Sequence, residues 1–97
     1  MEKWKLHLDI KDVWKKYPDQ ALYLHVEVFN QARDEICKVL RKHNIKIEKI
    51  FGDDAIMEYE EIVDKLECSE NLIEFNNFWD EFYDFCDSYR IWVITQF

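Results

Sequence analysis

Between residues 72 and 89, large apolar residues and acids recur at spacings of three and four. At about 100° per residue, Leu72, Phe75, Phe78, Trp79, Phe82, Phe85, Cys86 and Tyr89 fall on one broad arc. Glu74, Asn77, Asp80, Glu81, Asp84 and Asp87 fill the opposite arc. The pattern predicts a helix buried on its aromatic side and solvated on its acidic side, with Ser69 as N-cap and Glu70 and Asn71 in the first turn. Over 90–97 the period drops to two. Ile91, Val93 and Thr95 share one face and Trp92, Ile94 and Gln96 the other, which predicts a strand.

The opening reads as a second strand. Trp4, Leu6, Leu8 and Ile10 alternate with Lys3, Lys5, His7 and Asp9, and the basic outer side suits a sheet edge. A short helical turn follows through Val13, Trp14 and Tyr17, capped by Asp9 or Asp12 and closed by Pro18. Leu22, Val26, Phe29, Ile36, Val39 and Leu40 then fit a helix whose charged face carries Arg33, Asp34, Glu35, Lys38, Arg41 and Lys42. Residues 22–28 also alternate like a strand, which leaves the helix start open. Asn44 suits the position just past its C-terminus. Residues 45–51 alternate and read as a short strand. Gly52 and Asp53 break it, and Asp53 or Asp54 is the expected cap of a helix over 55–68. That helix has Ile56, Tyr59, Ile62, Val63 and Leu66 inside and Glu58, Glu61, Asp64 and Glu67 outside.

Ninety-seven residues make one domain, and a chain this short buries only about 60–65% of its unfolded surface. Its core must therefore be dense in large side chains, and 16% of the residues are aromatic. One glycine (Gly52) and one proline (Pro18) argue against a β-sandwich and against disorder. The expected fold is α+β: a single domain, 1–97, with a two- or three-stranded sheet from the chain ends, joined by 45–51 if that segment is extended. About three helices cover this sheet, with the aromatic face of 72–89 lying on it.

Charge divides the chain. Residues 53–87 hold thirteen acids against Lys65 alone, a balance of −12, whereas 1–52 hold eleven Lys and Arg against eight acids, a balance of +3. A solvated helical face and a binding surface both produce such asymmetry. The start lacks the apolar core of a signal peptide, and no stretch has the length of a membrane span. Cys37, Cys68 and Cys86 are an odd number without CxxC spacing. A reducing, cytoplasmic setting is expected, with no membrane partner.

Catalytic motifs are absent. There is no GxSxG, Walker loop, GxGxxG or HExxH, and His7, His25 and His43 each have a structural reading. Asp53 and Asp54 attract divalent cations only weakly, without EF-hand spacing or a zinc-like cysteine pattern. The expectation is therefore no enzyme, no catalytic residue, no metal and no cofactor. Acids interleaved with aromatics repel phosphates, so nucleic acid is not expected as a direct partner. They do resemble phosphates to a third party: Glu74, Asn77, Glu81 and Asp84 recur every 4.5–6 Å of helix rise, roughly comparable with the 3.4 Å phosphate step of a DNA strand. Phe75, Trp79, Phe82 and Cys86 are expected in the core. Tyr83, Trp92 and Phe97 are candidates for interface anchors or a dimer seam.

The opening LHLDIKDVWKKY and the ending FWDEFYDFCDSYRIWVITQF resemble small, uncharacterised acidic proteins of phages and mobile elements, over about a third of the chain. That resemblance implies a compact inhibitor of host defence acting in the host cytoplasm, of the kind that includes anti-CRISPR proteins and DNA mimics. It assigns no functional residue. The ending is also similar to the acidic helix and following strand of barstar-like nuclease inhibitors, although the order of the remaining elements differs.

Together these readings lead to a non-enzymatic acidic inhibitor, monomeric or homodimeric, that binds the nucleic-acid-binding surface of a basic protein or nuclease. The expected contact residues are Glu74, Glu81, Asp84 and Asp87, with Glu58, Glu61 and Asp64 as a second patch. The alternatives are an immunity protein neutralising a nuclease toxin and a homodimeric structural or assembly protein.

Overall fold

The structure, a computed structural model, describes residues 4–17 and 19–95. Elements run in the order β1 (Trp4–His7), α1 (Lys11–Lys16), α2 (Asp19–Leu24), α3 (Val26–Arg41), α4 (Asn44–Phe51), α5 (Asp53–Cys68), α6 (Leu72–Ser88) and β2 (Ile91–Ile94). The architecture is mainly helical, with a two-stranded sheet made by the chain ends. The expected roles of Lys3, Pro18, Gln96 and Phe97 lie outside the described residues.

β1 and β2 pair in parallel, with Trp4 opposite Ile91 and Leu6 opposite Val93. These four residues form the inner face, while Lys5, His7, Trp92 and Ile94 form the outer one. The inner face meets an aromatic chain in which Trp4 stacks edge-on against Phe51 and Phe51 against Tyr89, both at 5.7 Å between ring centres.

Residues 45–51 do not extend the sheet; they are helix α4. A strand would place Ile45 and Ile47 on one face, but Ile47 is fully buried while Ile45 and Ile50 are exposed. The stripe that decides is His43, Ile47 and Phe51, spaced by four, and Asn44 opens α4 instead of following α3. Residues 22–28 are helical as well, and the long predicted helix breaks at His25, which is extended (φ −119°, ψ 106°). Leu22 and Phe29 are both buried and Val26 is exposed. An unbroken helix would stack Val26 beside Leu22, and the break turns it outward.

Three caps differ from expectation. Ile10 precedes α1 without a side-chain cap. Gly52, at φ 93° and ψ −175°, links α4 to α5, a backbone conformation that favours glycine. Asp53 and Asp54 therefore lie inside the first turn of α5, where their charge suits the dipole. Asn71, not Ser69, caps α6. Its side chain accepts from the Glu74 amide (2.9 Å), and Glu74 accepts in return from the Glu70 amide (3.1 Å). Ser69 closes α5 instead, buried, with its hydroxyl donating to the Leu66 carbonyl.

The aromatic face of α6 packs chiefly on helices rather than on the sheet. Phe82 and Phe85 meet Tyr59 of α5 at 6.2 and 5.8 Å, and Phe75 meets Phe29 of α3 at 6.2 Å. Phe75, Phe82 and Cys86 are buried as expected, and Trp79 is half-buried. The Tyr59 hydroxyl donates to the Leu40 carbonyl and so ties α5 to α3. Burying each of these rings contributes about 1.5–3 kcal/mol, whereas an exposed ion pair contributes about 0–1 kcal/mol. The aromatic core therefore holds α5 against α6, and the acids on their outer sides are not needed for that packing.

Candidate functional site

α5 and α6 lie side by side with their apolar stripes turned inward, so the flanking rows of each helix face one another across a groove. α5 contributes Glu58, Glu61 and Lys65; α6 contributes Glu81, Asp84 and Ser88; the groove measures about 310 Å³. Both triplets have the spacing i, i+3, i+7, which keeps them in register along one side of a helix. Ile62 and Phe85, both buried, form the floor. Four carboxylates against one ammonium leave a local balance of −3.

The single cation is placed within this geometry. Lys65 Nζ reaches Glu81 Oε1 at 3.1 Å across the groove, with both side chains nearly half exposed. At one end the Tyr89 hydroxyl donates to Glu58 Oε2 at 3.4 Å. Loss of hydration and then the Glu58 charge raise the Tyr89 pKa above its ordinary value, which keeps the hydroxyl protonated. An apolar floor under a carboxylate rim is suited to a long basic side chain, whose stem lies on Ile62 and Phe85 while its head meets the acids.

Of the seven expected contact residues, the structure brings Glu58, Glu61, Glu81 and Asp84 together. Glu74 does not line the groove and is engaged in the α6 cap. Asp64 lies on the other flank of α5, held by Arg41 Nη2 of α3 at 2.6 Å, and Arg41 Nε also bonds Glu67. Asp87 is exposed but outside the groove lining. Sequence reasoning missed Lys65, Ile62, Phe85 and Ser88 as groove residues. Lys65 had a readable signal: the one cation of the acidic segment, four residues after Glu61.

Of the three free cysteines, Cys68 is exposed and the other two are buried. Burial raises the Cys37 and Cys86 thiols to about 12 each, so both remain protonated core groups. A shallow hollow beside Cys37, lined by Asp34, Lys38, Arg41 and Glu67, mixes charges of both signs. His7 and His25 are exposed, and His43 is half-buried at the α3–α4 junction. Asp53 and Asp54 are exposed, and among the described residues no group of three or more His, Cys, Asp or Glu side chains is placed to hold a metal ion. No described helix is long and apolar enough to cross a membrane. Comparison of the chain with protein-family models, curated proteins and solved structures found no match.

Proposed function

We propose that this chain is a non-enzymatic acidic protein that occupies the nucleic-acid-binding surface of a basic target, as anti-CRISPR and other DNA-mimicking inhibitors of phages do. The observation that carries this reading is the α5–α6 groove, in which Glu58, Glu61, Glu81 and Asp84 converge above Ile62 and Phe85. Lys or Arg side chains of the target enter there in place of phosphates. Within each helix the paired acids are three residues apart, about 4.5 Å of rise, close enough to a phosphate step to serve the same cations. Attraction extends beyond contact because the whole 53–87 segment carries −12. It speeds encounter and weakens with salt. The setting is the cytoplasm of the host cell.

The test is capture of a target from host extract with tagged protein, washed at rising salt. A basic nucleic-acid enzyme should be retained at low salt and released as salt rises. The triple variant Glu58→Lys, Glu81→Lys, Asp84→Lys should lose it by at least ~100-fold, since three reversed contacts at about 1 kcal/mol or more each exceed that factor. Equal affinity of the triple variant and the wild type, with helical content unchanged, sinks the proposal.

A further inference from the structure

Parallel sheets are normally covered on both faces, and two strands alone are marginal in water. Here the outer face of β1–β2 is open: Trp92 is 55% exposed, and Lys5 Nζ lies 5.6 Å from its ring centre. The hydrogen bonds that flank the pair set its phase. The Trp4 amide donates to the Arg90 carbonyl (3.2 Å) and the Leu8 amide to the Ile94 carbonyl (2.8 Å). Residues 90, 92 and 94 thus turn their peptide groups towards β1, and Ile91 and Val93 turn theirs away. Among the described residues nothing hydrogen-bonds to those outward groups. The far edge of β1 differs, because the His43 ring bonds to the His7 backbone there.

We propose that the free edge of β2 is the dimer seam of this protein, where it pairs antiparallel with β2 of a second copy about a two-fold axis at Val93. The strand is self-complementary in that register. Val93 faces Val93 of the second copy and Ile91 faces Thr95, each as a hydrogen-bonded pair, so every outward amide and carbonyl from Ile91 to Thr95 is used. Trp92 then falls opposite Ile94 in the non-hydrogen-bonded positions, where side chains approach most closely. Exposed Trp92 and half-buried Ile94 of the outer face then lie against each other across the seam of a four-stranded sheet.

Charge favours a second copy at this edge over one at α5 or α6. Each chain carries −8, which opposes self-association through α5 or α6. Residues 91–95 have no charge, and Lys5 and Arg90 beside them are positive. In the four-stranded sheet the two Lys5 residues stand three strand spacings apart, about 14 Å, which exceeds the ~8 Å screening length at physiological salt. A five-residue seam is small, so the association is weak and depends on concentration. It does not rest on what the α5–α6 groove binds.

Sedimentation equilibrium over a concentration series, with amide hydrogen exchange read at Ile91 and Val93, tests the seam. The mass should climb from 12.0 kDa towards two chains, and protection of both amides should climb with it. The double variant Trp92→Lys, Ile94→Lys should stay at one chain with unchanged circular dichroism. Val93→Pro, which removes an outward amide that no described residue uses, should also stay monomeric. The proposal is overturned by a wild type that remains monomeric throughout. A dimer that survives both variants overturns it too, as do amides protected equally at every concentration.

Discussion

His43 occupies the join between α3 and α4 with Nδ1 buried and, among the described residues, without a hydrogen-bond partner; Asn44 Oδ1 beside it is in the same state. Burial, and then the charge of Lys46, lowers the His43 pKa below its usual 6.5, and Lys42 adds to the effect. The folded protein therefore holds a neutral ring that the unfolded chain protonates more readily. Because the unfolded state binds the extra proton, stability is complete above about pH 6.5 and declines as pH falls towards the depressed folded value. Urea unfolding of wild type and His43→Gln, between about pH 8 and pH 5, should show a shallower loss of stability with falling pH in the variant than in the wild type. Parallel slopes would mean that the ring is hydrated in the fold.

At the scale of elements, short alternating runs are ambiguous and long amphipathic ones are not: the alternation at the chain ends is strand, whereas that of residues 22–28 and 45–51 is helix. α5 and α6 were legible because each repeats its apolar stripe through four turns. Residues 45–51 have too few turns for alternation and helical spacing to be told apart, and the burial of Ile47 against the rest of the core settled it. Caps were misplaced for a related reason. Ser69, Asn71, Asp53 and Asp54 are all competent capping residues, and which of them meets a free amide depends on where the chain leaves the preceding helix. Asn71→Ala should cost about 1 kcal/mol in chemical denaturation, because the Glu74 amide loses its acceptor. Ser69→Ala should leave the start of α6 intact, so backbone shifts at Glu74 should move in the first variant and not in the second.

For the whole molecule, the arrangement separates two tasks. Aromatic burial between α3, α5 and α6 supplies cohesion, and the acids are thereby left for electrostatics. Lys65 tempers this field inside the groove, where it satisfies Glu81 when no partner is bound. Removing it should strengthen capture of a basic target: Lys65→Gln is expected to raise affinity several-fold at low salt, with the gain shrinking as salt rises. A loss of affinity in that variant would mean that Lys65 contacts the partner directly.

The sequence by itself determined the helical acid–aromatic segments, the pairing of the chain ends as strands, the core membership of Phe75, Phe82 and Cys86, and the sign of the exposed surface. Each follows from periodicity or composition, which a linear chain carries locally. Only the tertiary structure decided which acids stand together. Glu58, Glu61, Glu81 and Asp84 share a groove because α5 and α6 pack with a particular rotation, set by Tyr59 fitting against Phe82 and Phe85. The packing of α5 against α3 commits Asp64 to Arg41, while Glu74 is held by the cap of α6. Rotation of one helix against another is a property of side-chain fit between segments distant in sequence, and no spacing within either segment encodes it.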